Sequence, residues 1–222
     1  MWPRKLSGLS TVVLGGAAFA LARRGAKRWG ATDDDVARAL PGDELVARAD
    51  LQSTRAVTVH AGPGDVWPWL AQLGQGRGGF YSYDRVENLL GCDIHSSDVV
   101  LPGYQDVRVG DQIRLAPQMP LTVAVADPGA ALVLTGGILM GAVASPWTFS
   151  WAFVLVEAGG GSTRLLVRER YGYTARWAPL VVEPTSLVSL VMTRKMLHGI
   201  KERAERVPPV APDPAPSTVP AG

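Results

Sequence analysis

Residues 149–206 read FSWAFVLVEAGGGSTRLLVRERYGYTARWAPLVVEPTSLVSLVMTRKMLHGIKERAER. Two apolar, β-branched runs, Phe149–Glu157 and Arg164–Tyr173, flank Gly159-Gly160-Gly161, which is the pattern of an antiparallel hairpin. Behind the hairpin, Glu183-Pro184-Thr185 opens a long helix to about Arg206, with Pro184 in the first turn, where its missing N–H is tolerated. Leu187, Leu190, Val191, Leu197, Ile200 and Ala204 recur at helical spacing. Val188, Met192 and Met196 add a second stripe, so this helix is expected to bury more than one face.

Upstream of the hairpin, Gln112–Leu115, Leu121–Ala126 and Ala131–Thr135 are short apolar segments. They are separated by Ala116-Pro117, Asp127-Pro128-Gly129 and Gly136-Gly137, again hairpin spacing. Earlier still, Thr54–Val59 alternates and reads as a first strand. A short helix starts at Pro63-Gly64-Asp65 and runs through Leu73, its apolar face made by Val66, Trp67, Trp69, Leu70 and Leu73. A second short helix is expected around Tyr83–Leu90. The order is strand, two short helices, five or six antiparallel strands, long helix. An α+β fold satisfies it, with a curved antiparallel sheet wrapped around the long C-terminal helix. A space between sheet and helix, walled by the short helices, is one outcome; a fully packed core is the other.

The chain is 222 residues long, 47% hydrophobic and 19% charged, which fits one globular domain with appendages. Its net charge of +2 conceals an asymmetry. Residues 1–30 carry six basic residues and no acid, and the remainder carries a net −4. The body therefore offers no basic surface for nucleic acid. Leu6–Ala22 is uncharged for 17 residues, about 25 Å as a helix against a hydrocarbon core of about 30 Å. It reads as a retained single-pass anchor, with a cleaved signal peptide or a docked helix as alternatives. The basic flank Arg23, Arg24, Lys27 and Arg28 then places the domain on the cytoplasmic side; otherwise the protein is soluble in the cytoplasm, or exported if residues 1–22 are removed. The domain plan is the apolar helix in residues 1–30, a connector over 31–52 that wraps onto the domain, the domain proper over 53–206, and a Pro-rich disordered tail from 207 to 222.

Four stretches carry a family resemblance. They are TRAVTVHAGPGDVWPWLAQLG at 54–74, GQGRGGFYSYDRVENLLGCDIHSSD at 74–98, WTFSWAFVLVE with TRLLVRERYGY at 147–157 and 163–173, and MLHGIKERAE at 196–205. Together they resemble the START-like, helix-grip superfamily (SRPBCC), specifically its polyketide cyclase/dehydrase and lipid-transport branch. The stretch at 74–98 is the most specific and resembles an uncharacterised bacterial subgroup. The resemblance spans about 53–206 and implies a hydrophobic ligand cavity. It does not imply one activity, because the superfamily includes carriers, receptors and enzymes.

Gly74-Gln75-Gly76-Arg77-Gly78-Gly79 has the letters of a dinucleotide loop but neither the preceding strand nor the following helix, so it reads as a loop whose glycines permit positive φ. Cys92, Asp93, His95 and Asp98 lie close in sequence. A metal site needs three or four convergent ligands, and no second cluster exists, so no metal and no cofactor is assigned. His95 reads either as a loop tie or as a cavity-facing acid or base. Leu165, Val167, Glu169 and Tyr171 share one face of their strand, and that face looks inward. Glu169 is thus a carboxylate on an apolar face. It needs a partner, such as Arg114 or Arg77, or a role toward a ligand. Tyr83 and Glu87 are four apart and share a helix face.

The candidate ligand-binding residues are Trp69, Tyr81, Tyr83, Glu87, His95, Trp151, Glu169, Tyr171, Met192 and Met196. His95 and Glu169 are the candidates for catalysis if the protein is an enzyme. The first functional reading is binding of an apolar small molecule, lipid or polyketide-like, in the cavity at a membrane. The second is acid-base catalysis of the polyketide cyclase/dehydrase type in the same cavity. The third is a non-catalytic interaction domain with a packed core. The sequence does not specify the oligomeric state.

Overall fold

The computed structural model of the chain describes residues 25–89, 91–136 and 145–206, with Leu187 described by its backbone alone. Six strands form one curved antiparallel sheet: β1 (Leu51–Val59), β2 (Gln112–Ala116), β3 (Met119–Asp127), β4 (Ala131–Gly136), β5 (Trp147–Glu157) and β6 (Thr163–Tyr173). Their spatial order is β1-β6-β5-β4-β3-β2. The last five strands are a meander, and β1 completes the far edge by pairing with β6, Ser53 opposite Glu169. The helices are α1 (Asp33–Ala37), α2 (Pro63–Ala71), α3 (Asp84–Leu89) and α4 (Ala178–Ala204). The long helix α4 lies against β1, α2 and β6. This is the α+β helix-grip arrangement expected from the order of the elements.

Strand alternation gives the sheet two buried faces. On β1 and β6 the odd-numbered residues Arg55, Val167 and Glu169 face α4. On that side the main core gathers Leu51, Val59, Leu70, Leu73, Phe153, Leu165, Leu197 and Ile200. The even-numbered residues face away from α4, where Ala56 and Leu166 pack with Leu40, Val133, Ala152 and Val154. Residues 30–47 cover this outer face. Thr32 caps α1 with a reciprocal Thr32–Asp35 capping box. Three arginines of β6 then hold the segment down. Arg168 donates to the carbonyls of Asp35 (3.0 Å), Val36 (3.0 Å) and Arg38 (2.8 Å) and to Asp43 Oδ2 (2.7 Å). Arg170 donates to the carbonyl of Val46 at 2.9 Å, and Arg164 to Asp35 Oδ2 at 2.7 Å. Carbonyls that no strand satisfies are thereby satisfied by side chains.

The structure corrects two expectations about helices. The C-terminal helix starts at Ala178, five residues before Glu183, and Pro184 is inside it. Pro184 removes one helical N–H. Over the same turn the hydroxyl of Thr185 donates to the carbonyls of Val181 (3.1 Å) and Val182 (2.9 Å), and that of Ser186 to Glu183 (2.7 Å). The second correction concerns localisation. Among the described residues no helix is long and apolar enough to cross a membrane. Helix α4 has the length, 27 residues, but Glu183, Arg194, Lys195 and Lys201 interrupt it. The expected membrane association with a cytoplasmic-side domain is therefore not supported. The segment 6–22 and the tail from 207 onward lie outside the described residues.

Candidate functional site

Between the concave face of the sheet and α4 lies a cavity of about 240 Å³. Its walls come from β5 and β6 (Phe149, Trp151, Tyr171), from the 80–94 segment (Phe80, Ile94) and from α4 (Met192, Met196). A second chamber of about 220 Å³ adjoins it, and the two share Leu115, Phe149, Tyr171 and Ser189. The lining is aromatic and aliphatic with a few polar groups, as small-molecule sites usually are. Trp151 packs between Phe80 (ring centroids 6.0 Å) and Phe153 (4.7 Å), and Phe149 packs on Tyr171 (4.7 Å). These ring pairs fix the wall on the sheet side. Burial pushes the Tyr171 phenol well above its ordinary pKa, and the Glu169 charge nearby adds to this, so the ring presents a neutral hydroxyl.

Glu169 is at the cavity wall, but its partners occupy it. Arg55 Nη1 donates to Glu169 Oε1 at 3.1 Å, and the side chains are 1% and 5% exposed. Ser189 donates to the same oxygen at 2.6 Å and Thr193 at 3.3 Å, while Ser53 donates to Oε2 at 3.2 Å. Arg55 also reaches the hydroxyls of Ser189 (3.1 Å) and Thr193 (3.3 Å) and the carbonyl of Ala26 (3.3 Å). The arginine that pairs with Glu169 is thus Arg55, not Arg114 or Arg77. Arg77 is used elsewhere, donating to the carbonyl of Ala71 at 2.8 Å. Arg55 is the residue that sequence reasoning missed. The signal was available: it is a charge on the same face as Val57 and Val59, just as Glu169 is a charge on the face of Val167.

Glu87 also lines the cavity and is 8% exposed. Its Oε1 accepts from the Ser82 hydroxyl at 2.6 Å, and its Oε2 is buried with no hydrogen-bond partner among the described residues. Burial raises its pKa; the Ser82 bond pulls the other way and neighbouring Asp84 adds to the rise. Cys92 shares the lining, and burial together with the Glu87 charge raises its thiol pKa, so it is a poor nucleophile. Trp151 Nε1 is a second buried group without a partner among the described residues.

The structure brings Glu87, Trp151, Glu169, Tyr171, Met192 and Met196 to one cavity. It leaves four nominated residues out of that lining. His95 is on the surface, its side chain 81% exposed beside the exposed Asp93 at 3.2 Å. The reason is local. Asn88 clamps residue 94 from both sides, donating to its carbonyl at 2.8 Å and accepting from its N–H at 2.6 Å. Ile94 then points inward and its two neighbours outward. Tyr83 is 42% exposed. It immediately precedes α3, its carbonyl accepting from Glu87 N–H at 3.0 Å, and its side chain is outside the cavity lining that includes Glu87. Tyr81 and Trp69 are buried against each other, with the Tyr81 hydroxyl donating to the Trp69 carbonyl at 3.2 Å. The glycine-rich loop is closed by mutual Gly74–Gly79 backbone bonds of 3.0 and 3.1 Å and is a tight connection between helices. No group of three or more His, Cys, Asp or Glu side chains suited to a metal ion occurs among the described residues.

No protein-family model matches the chain, and no curated protein does. Solved structures do. A hypothetical protein from Helicobacter pylori is similar at 12% identity, covering 75% of this chain and 95% of that one, with a TM-score of 0.46. Norcoclaurine synthase from Thalictrum flavum is similar at 15% identity, covering 74% and 92%, with a TM-score of 0.41. CalU16 from Micromonospora echinospora is similar at 12% identity, covering 69% and 83%, with a TM-score of 0.34. These likenesses concern the fold. Strand order, register and the long terminal helix decide it independently. The fold is a helix grip. In a helix grip the chemistry belongs to the side chains lining the cavity, and here those are Glu87, Trp151, Glu169 and Tyr171 in an apolar wall.

Proposed function

We propose that the protein binds an apolar small molecule in the cavity between its sheet and its C-terminal helix. One observation carries the reading: the apolar-walled cavity of about 240 Å³, which the second chamber adjoins. A dry cavity of roughly 150 Å³ holds benzene, so a cavity of about 240 Å³ suits a two-ring compound. The aromatic walls supply contact area, and Met192 and Met196 supply a surface that adapts to shape. The acid-base enzyme reading needs His95 and Glu169 to converge on a substrate. With His95 exposed and Glu169 held by Arg55 and three hydroxyls, binding is the better-supported function.

The test is mass spectrometry of the purified full-length chain, native and then after solvent extraction, together with uptake of a hydrophobic probe dye. A stoichiometric ligand, or dye uptake lost in Met192→Trp, supports the proposal. His95→Ala is expected to leave either signal unchanged. A chain that carries nothing and takes up no dye refutes binding and leaves the interaction-domain reading.

A further inference from the structure

The cavity holds two buried polar atoms that the described residues leave unsatisfied, Glu87 Oε2 and Trp151 Nε1. Both side chains line the same chamber, and both residues are 8% exposed. Leaving a buried polar group unpaired is costly, and few are found in folded proteins. The other charged group at this wall, Glu169, is fully engaged by Arg55, Ser53, Ser189 and Thr193. We propose that Glu87 and Trp151 form the recognition pole of the cavity, and that the ligand is an uncharged, otherwise apolar molecule presenting one ketone or alcohol oxygen to them. This rests on the reading that the cavity binds a ligand.

The chemistry of the two atoms selects the class. An indole N–H only donates, so the ligand brings an acceptor. An ammonium group has no lone pair to offer and would leave Trp151 Nε1 unsatisfied. A carboxyl group either donates or accepts according to its proton. Burial favours the neutral form of Glu87, with Asp84 acting in the same direction and the Ser82 bond opposing. A ketone oxygen accepts from Trp151 and from the Glu87 hydroxyl together. An alcohol accepts from Trp151 and donates to Glu87. A ligand carboxylate would set a second acid beside Glu87 in an apolar enclosure, which is disfavoured.

The experiment is isothermal calorimetry of the full-length chain with naphthalene, 2-acetylnaphthalene, 2-naphthol, 2-naphthoate and 1-naphthylmethylammonium. The ketone and alcohol are expected to bind about 5-fold more tightly than naphthalene, the gain typical of a net neutral hydrogen bond. The two ions are expected to bind more weakly than naphthalene. Trp151→Phe removes the N–H together with half of the indole, so it shifts the affinity for both probes and abolishes the ketone's advantage over naphthalene. Glu87→Gln keeps a donor, so it retains the ketone and relieves the exclusion of 2-naphthoate. Equal affinities for naphthalene and the ketone overturn the recognition pole while leaving the binding reading intact. So does Trp151→Phe shifting both alike, with the ketone's advantage kept. Failure of every probe, naphthalene included, overturns both.

Discussion

Replacing Arg55 by methionine tests the polar centre of the fold. Arg55 is 1% exposed and donates to Glu169, Ser189, Thr193 and two backbone carbonyls. Methionine fills much of the same volume and removes the charge. Glu169 would then remain buried with three hydroxyl donors and no counter-charge. Breaking a buried pair from one side costs about 3–5 kcal/mol, and the hydroxyls that remain place this case near 3 kcal/mol. At about 2–4 °C per kcal/mol for a domain of this size, Tm falls by near 10 °C. The assay is urea unfolding of wild type, Arg55→Met, Glu169→Gln and the double variant, read as a double-mutant cycle. In the double variant no uncompensated charge is left, so its stability returns to within about 1 kcal/mol of wild type. A single variant that loses less than about 1 kcal/mol, or a double variant no more stable than Arg55→Met, would refute the reasoning.

Three further outcomes are expected. Gly199→Ala puts a Cβ 2.6 Å from Tyr81 Cβ and closer still to the Tyr81 carbonyl. Tyr81 is 2% exposed at φ 57° and cannot yield easily, so overpacking of about 1–3 kcal/mol should appear in urea unfolding. Glu87→Gln should raise Tm at pH 7. A carboxyl whose folded pKa is raised contributes stability below its unfolded pKa and loses it as pH rises through the folded one, so the gain should vanish below about pH 4. Asp35 shows the opposite sign. Burial raises its pKa, but the bonds from Arg164 and Thr32 together hold it below the ordinary carboxylate value. Its contribution is present above about pH 4 and is lost as pH falls through the folded pKa. Asp35→Asn should therefore destabilise at pH 7 and converge on wild type near pH 2, as thermal scans across pH will show.

Much of this architecture was legible in the chain. The glycine-separated hairpin at 147–173 and the long apolar helix behind it dictate a sheet gripping a helix, and the structure has that form. The inward direction of Glu169 and Tyr171 followed from strand alternation alone. What was not legible depended on partners remote in sequence. Arg55 and Glu169 are each anomalous on their own strand. Pairing them requires knowing that β1 lies beside β6 and that Ser189 and Thr193, one helical turn apart, lie over both. His95 was misplaced because no periodicity governs an irregular loop, and the Asn88 clamp that turns it outward is a side-chain interaction. The early start of α4 was hidden by Pro184, which marks helix beginnings more often than interiors.

The arginine clasp on the outer face has a consequence for how the chain is made. Residues 30–47 leave the ribosome early, and the side chains that bind their carbonyls lie more than 120 positions later, on β6. At 5–20 residues per second the segment waits roughly ten seconds for its partner. During that interval Leu40 and Val46, buried in the finished fold, face water. The outer face of the sheet stays open until β6 has emerged. A chain stalled before β6 would present both an unclasped leader and an unpaired edge at β1, and would be a natural target for holding chaperones.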